Sequence, residues 1–319
     1  MWAEPVRDGS LSAEVAGWTR RTGFELVRRL PLAFATHHPQ GMTLAAGRVF
    51  LTTVEVLDPP EPLADADGDP ARRSPGRGRG HVLVIESDGT LAADIAVGEG
   101  DAYHPSGIDY TGGLLWVPVG EYRSHSRSLI YTLDPVTLDL VERFEVDDHI
   151  TWLVPDPQRN MLHGASWGSR RFYRWRLSEA AGGRLVAGEP DVWDNPSQHL
   201  DFQEAQHDGA GRLICAGISE LPDAHGGTYE LGGVAVVHVD ERRIAADVPV
   251  ALFSPAGHSV FRNPFVLTRE GDDVLLHVAP DDGHERCGTE ILTYRVMRAS
   301  EPAPRSGRLC SGAADAPAR

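Results

Sequence analysis

Five times along this 319-residue chain, a polar residue sits where a loop turns into an apolar run, and a second polar or aromatic residue follows 17 or 18 positions later. The pairs are His38 and Glu55, His104 and Glu121, His149 and Trp167, Gln203 and Glu220, and Asn263 and Asp281. Imidazoles and carboxylates are the side chains best suited to taking and giving protons near neutral pH. His38, His104, His149, Glu55 and Glu121 are therefore the candidate catalytic residues. Gln40, Tyr122, Arg123, Trp167, Arg170, Gln203, Asn263 and Asp281 are the candidate substrate contacts. Arg170, beside Trp167, has the forked donors that hold a carboxylate or phosphate. The flanking carboxylates Asp109 and Asp148 are expected to orient His104 and His149.

No phosphate-cradling glycine loop occurs, and no pair of histidines has helical metal-ligand spacing. A divalent metal, if one is used, needs the ring itself, with His38, His104 and His149 as ligands. Neutral imidazoles suit Zn, Fe, Cu or Ni, whereas a carboxylate-rich pocket suits Ca or Mg. The cofactor thus stays open.

A single His-Pro, such as His38-Pro39 or His104-Pro105, is equally well explained as a rigid turn. Three His, a Gln and an Asn at equivalent places are harder to explain so, because buried polar groups need partners. The elements that would bring them together follow from the repeat, since periodicity at this scale marks an array or propeller. Short apolar or alternating runs bounded by Gly, Pro, Asp and Asn read as strands. They group in fours: Met42–Ala45, Val49–Val56, His81–Glu86 and Leu91–Val97 make the first group, and Gly107–Tyr110, Leu114–Val119, Ser128–Leu133 and Leu140–Val146 the second. The third group ends in one run, Arg184–Trp193, and the fourth in Val248–Phe253. The fifth group has only three runs, the last being Glu290–Met297.

The missing strand is available upstream as Phe24–Leu32. The expected fold is all-β, a five-bladed β-propeller of four-stranded antiparallel blades whose N-terminal strand closes the last blade and hides its edge. Residues 1–23 form an N-terminal segment with a short helix over Ser10–Thr22, capped near Ser10 or Ser12. Residues 24–297 form the single propeller domain, with a mobile Pro/Gly/Arg-rich insertion loop at 58–80. Residues 298–319 form a disordered tail.

Composition narrows the function classes. A net charge of −16 argues against nucleic-acid binding, which needs clustered Lys and Arg. No apolar run approaches the roughly 18 residues of a membrane helix, so no membrane partner is expected. The first residues lack the apolar stretch of a secretory leader, and three cysteines, Cys215, Cys287 and Cys310, fit a reducing compartment. A cytoplasmic location is the expectation. Cys215 sits in an apolar run and reads as core packing. Oligomeric state is not legible.

The strings Thr36–Met42, His104–Asp109, Glu121-Tyr122-Arg123, Asp147–Ile150 and His163–Arg170 resemble an uncharacterised bacterial and fungal propeller family, a domain of unknown function. With Glu230–Gly233 and Arg262–Phe265, the resemblance spans roughly 24–297. It implies a fold but no activity. The chain is more loosely similar to gluconolactonase and strictosidine-synthase propellers. It departs from their six blades and lacks their Glu-Asn-Asn-Asp calcium set, and fold analogy alone does not carry function.

Two readings of function follow. One is an enzyme acting on a small organic molecule by acid/base chemistry, as ester or lactone hydrolysis or as a lyase or cyclisation step, with or without a metal. The other is a non-catalytic propeller that binds a small ligand or a peptide at the same mouth.

Overall fold

The computed structural model describes residues 2–63, 72–180, 184–285 and 288–297. The helix α1 (Ser10–Ala16) and strand β1 (Gly23–Pro31) lead into β2 (His38–Ala45), β3 (Arg48–Asp58), β4 (Arg77–Ile85) and β5 (Leu91–Val97). Then come β6 (Ala102–Pro105), β7 (Gly107–Thr111), β8 (Leu114–Glu121), β9 (Ser128–Leu133) and β10 (Leu140–Val146). The middle of the chain supplies β11 (Ile150–Asp156), β12 (Met161–Ser166), β13 (Arg171–Ala180), β14 (Arg184–Ala187) and β15 (Asp191–Asp194). The last third holds β16 (Asp201–His207), β17 (Arg212–Pro222), β18 (Thr228–His238), β19 (Arg243–Pro249), β20 (Phe265–Glu270), β21 (Asp273–Val278) and β22 (Glu290–Met297).

The fold is all-β. Strands β2 to β5 form one antiparallel sheet in chain order, and β16 to β19 another. A third sheet has the order β1-β22-β21-β20, so the first strand of the chain pairs with the last, Gly23 opposite Met297 and Pro31 opposite Glu290. The remaining strands make one larger sheet, because β7 and β11 meet in a short parallel pairing of Gly107–Ile108 with Trp152–Leu153. Strands β2, β7, β11, β16 and β20 touch in succession, and β20 returns to β2, so they surround an axis. These inner strands are mostly buried, as in the seven consecutive buried residues of β11. The outer strands β5, β10 and β19 carry many exposed residues, and β5 and β19 nearly alternate, as expected where only one face is covered.

Apolar layers fill the spaces between successive sheets. Phe50 and Val84 meet Leu115 and Leu129; Trp116 and Ile130 meet Leu153 and Trp175; Trp152 and Phe172 meet Phe202 and Leu213. Ile214 and Val236 meet Phe265 and Leu276, and Met42 and Leu83 meet Val266 and Ile291, which closes the circle. Each fully buried Phe or Leu contributes about 1.5–3 kcal/mol by leaving water. Cys215 lies in one of these layers, fully buried, and burial pushes its thiol far above the range in which it could act as a nucleophile.

Several expectations are corrected. The run Arg184–Trp193 is two strands, β14 and β15, which pair with different halves of the long β13. The outer strand of the fourth group is Arg243–Pro249, not Val248–Phe253. The helix is shorter than expected and no Ser caps it; Gly9 stands at its start with φ 84°, and the carboxylate of distant Asp208 accepts from the Ser12 amide at 2.6 Å. Asp8 accepts from the Ser10 amide at 2.9 Å, but the Asp208 oxygen comes from 196 residues along the chain, which local sequence cannot show. The 58–80 insertion is partly ordered: β3 and β4 run on as a ribbon to Asp58 opposite Arg77, and Pro62 bridges Arg73. Residues 64–71 and the expected tail, 298–319, lie outside the described residues, as does Cys287.

Candidate functional site

A cavity of about 140 Å³ opens at the end of the axis where β2, β11 and β16 begin. His38, Gln40, His104, Tyr122, His149, Trp167 and Gln203 line it, together with Thr151, Gly168 and Asp201. Three of the expected catalytic imidazoles and four of the expected substrate contacts are thus brought to one place.

The inner strands approach one another closely. A side chain on Gly41 would stand 2.6 Å from the Ser106 carbonyl, and one on Gly107 would meet Glu204 at 2.6 Å, so only glycine fits. Glu204 is fully buried, one oxygen accepting from the Met42 amide at 2.7 Å. Burial pushes its carboxyl well above the usual range.

His149 sits just before β11. Its Nδ1 lies 2.8 Å from the Glu121 carbonyl, which can only accept, so Nδ1 carries the proton and Nε2 keeps its lone pair. Burial lowers this imidazole to about 4. His104 is also buried, and burial followed by the nearby His149 holds it well below its ordinary value. Neither His104 nitrogen has a hydrogen-bond partner among the described residues. The His104 ring stacks on Tyr122 at 4.2 Å and is tilted against His149 at 5.6 Å. Both rings are therefore neutral at neutral pH.

His38 differs from them. Its Nδ1 lies 2.6 Å from Asp282 Oδ1. Burial alone would raise Asp282, but the bond and charge of His38, then Arg262 and Asn263, outweigh it and hold the carboxyl below its ordinary value. An ionised carboxylate accepts only, so His38 Nδ1 donates to Asp282.

One wall is aromatic. Trp167 meets His149 edge-on at 4.7 Å and is tilted against Tyr122 at 5.9 Å. The tight turn Trp167–Ser169 sets its direction: Gly168 takes φ 60°, and Ser169 Oγ accepts from Trp152 Nε1 and donates to the Phe202 carbonyl. The Arg73 guanidinium lies 4.8 Å over Trp167 and 5.3 Å over Tyr122. Arg73 belongs to the stretch expected to be a mobile loop. Its charge over two aromatic faces is the favourable cation–π geometry that places it.

The other expected residues are placed as follows. Asn263 does not enter the cavity; it donates to the Pro280 carbonyl at 2.9 Å and to Asp282 at 3.3 Å. Asp281 is buried against Ser254 Oγ, and its neighbour Asp282 is the one that reaches His38. The Glu121 carboxylate is held by Arg123, and its backbone carbonyl is the part that meets the imidazole. Arg123 spends its donors on Glu121 and the Arg73 carbonyl. Arg170 clamps the start of β16, donating to the carbonyls of Gly168 and Leu200 and to Asp201. Glu55 lies at a neighbouring cavity with His37. Asp148 accepts from Arg171 and the Tyr173 hydroxyl, and from the backbone of His149 but not its ring. Asp109 receives Arg7 through two bonds of 2.8 and 2.5 Å. Among the described residues, His38, His104 and His149 do not form a group whose ligand atoms all lie within 4.8 Å of one another.

Fold and site together define an all-β, propeller-like protein with a polar cavity at one end of the axis. The chain belongs to a family of unknown function, DUF6454, whose pattern matches residues 9–297. No curated protein sequence matches it. Among solved structures it is similar to a luciferin-regenerating enzyme, at 12% identity and TM-score 0.45 over 87% of this chain and 96% of that one. It is also similar to CoXyl43, a β-xylosidase/α-arabinofuranosidase from a compost microbial metagenome, at 10% identity and TM-score 0.48 over 88% of this chain and 96% of that one. A third likeness is to the periplasmic gluconolactonase PpgL of Pseudomonas aeruginosa, at 14% identity and TM-score 0.35 over 81% and 73%.

Proposed function

We propose that this protein is an enzyme that moves a proton on a small organic molecule, with His38 as the general base and Asp282 as the residue that orients it. The reading is supported by one observation above the rest. An imidazole with its Nδ1 committed to a carboxylate at 2.6 Å lines the same cavity as a buried imidazole, His104, whose two nitrogens have no partner among the described residues. Unpaired buried donors and acceptors facing a cavity are what a bound ligand would satisfy. Neutral His149 and His104, with the amides of Gln40 and Gln203, supply lone pairs and donors for a carbonyl or hydroxyl. Trp167 and Tyr122 under Arg73 suit a flat or cyclic, neutral or anionic compound.

No serine or cysteine is among the described residues of the cavity wall, which favours direct proton transfer over an acyl-enzyme. The reaction is ester or lactone hydrolysis by a base-activated water, or a lyase or cyclisation step that begins with proton abstraction. The fold behind it is a propeller of five four-stranded blades. That count is supported by the succession of inner strands and the five apolar layers among the described residues.

The test is turnover of a panel of lactones, aryl and alkyl esters, and β-hydroxy carbonyl compounds. With a substrate in hand, Asp282→Asn and His38→Gln should each lower kcat by roughly 10²–10⁴-fold. Unchanged kcat in both variants would sink the assignment. The aromatic wall favours a second reading, a ligand-binding protein, which saturable binding without turnover would support.

A further inference from the structure

We propose that His37, Glu55 and His81 form a binding site for a single divalent transition-metal ion of the zinc class, separate from the ring of imidazoles and independent of the reading above. One ligand atom from each of the three lies within 4.8 Å of the others. Donors about 2.0–2.2 Å from one ion stand roughly 3–4 Å apart, so small side-chain rotations would bring all three onto it.

The local structure explains the convergence. Thr53 pairs with His81 across β3 and β4, so Glu55, two residues on, is the diagonal neighbour of His81 on the same face. His37 takes φ 51° at the turn into β2, which carries its ring over that of His81, 5.2 Å away and nearly parallel. A non-glycine residue in this left-handed region is uncommon, and functional sites are where such conformations concentrate.

The state of His81 points to a ligand. Its Nδ1 lies 2.8 Å from Asp94 Oδ1, so the proton is on Nδ1 and the lone pair is on Nε2. Nε2 is out of contact with water and has no hydrogen-bond partner among the described residues. A carboxylate behind a histidine whose other nitrogen is vacant is the arrangement that orients metal-bound histidines. Glu55 gives one oxygen to the exposed Arg79 at 3.0 Å and keeps the other for the ion.

Two imidazoles and one carboxylate are the donor set of open, three-ligand sites, in which water or substrate fills the remaining position. Space for that position exists: His37 and Glu55 line a cavity of about 360 Å³ bounded also by Thr36, His38, Gly283 and His284. His38 therefore faces both cavities.

The test is cobalt and zinc titration of untagged, chelator-treated full-length protein. Calorimetry should give one equivalent of zinc, and cobalt should give visible d–d bands of a four- or five-coordinate site. His81→Gln and Glu55→Gln should abolish the cobalt bands while the thermal melt of the metal-free protein stays cooperative. Asp94→Asn, which leaves all three ligands, should weaken zinc about 10–100-fold. His104→Gln and His149→Gln should leave cobalt binding as in the parent. Substoichiometric binding, bands that persist in both ligand variants, or bands lost only on changing His104 or His149 would each overturn the site. Full zinc affinity in Asp94→Asn would overturn the role given to that carboxylate.

Discussion

Replacing His277 should make the protein resist acid. This histidine lies on β21, 3% exposed, far in sequence from the cavity residues of β2 and β11. Its Nε2 is 2.9 Å from Thr268 Oγ1 and its Nδ1 3.0 Å from Thr293 Oγ1. Trp2 meets its ring edge-on at 5.2 Å. Hydroxyls can donate or accept, so the neutral ring is fully satisfied, whereas a cation would be buried without a counter-charge. Burial, with a smaller effect of the Arg28 charge, lowers it from 6.5 to about 3.

The unfolded chain therefore takes up a proton near pH 6.5 that the folded chain refuses until about 3. Stability from this group is fully present above the unfolded value and is lost as pH falls towards the folded value. At about pH 5 the difference spans roughly 1.5 units, or about 2 kcal/mol at ~1.4 kcal/mol per unit. His149, lowered to about 4, and His163, lowered to about 3, act in the same direction, while the raised Glu204 opposes them. The total slope is thus a sum of several groups, but the difference between parent and His277→Gln isolates one. Urea unfolding at about pH 7.5 and about pH 5 should show the parent losing about 2 kcal/mol more than the variant. Equal losses would refute a neutral, buried His277.

Three further outcomes follow from particular contacts. Arg7→Ala strips the partner from Asp109, whose side chain is 2% exposed, and should cost about 3–5 kcal/mol in a thermal or urea melt; a loss below about 1 kcal/mol would show that water replaces the guanidinium. Gly120→Ala places a methyl 2.6 Å from His149 Nδ1, so the ring must leave the Glu121 carbonyl; about 1–3 kcal/mol of stability should go with that bond, and ligand binding or turnover should fall with it, whereas an unshifted His149 NMR signal would contradict the geometry. Deleting residues 1–33 removes β1 and exposes the edge of β22, so the truncated protein should aggregate; a soluble chain with the parent's cooperative melt is the opposing result.

Much of the scaffold was written in local pattern. Apolar runs punctuated by turn glycines marked β2, β3, β8 and β9 because a strand's burial alternates or saturates over only a few residues. The orphan run Phe24–Leu32 had to find an edge, and β1 does pair with β22. The repeat also set His38, His104, His149 and Gln203 at equivalent places, and these reach one cavity.

What the sequence could not decide was who partners whom. Asp281 and Asp282 are adjacent and chemically identical, yet one turns to Ser254 and the other to His38. Glu121 contributes its carbonyl because its carboxylate is claimed by Arg123. Asp109, next in pattern to His104, is claimed by Arg7 from a segment 102 residues away. Arg73, from a stretch without apolar period, covers the aromatic wall. Strand formation depends on neighbours along the chain, so periodicity records it. A hydrogen bond or ion pair depends on which side chains arrive within about 3 Å, and that is fixed only when the sheets have closed around the axis.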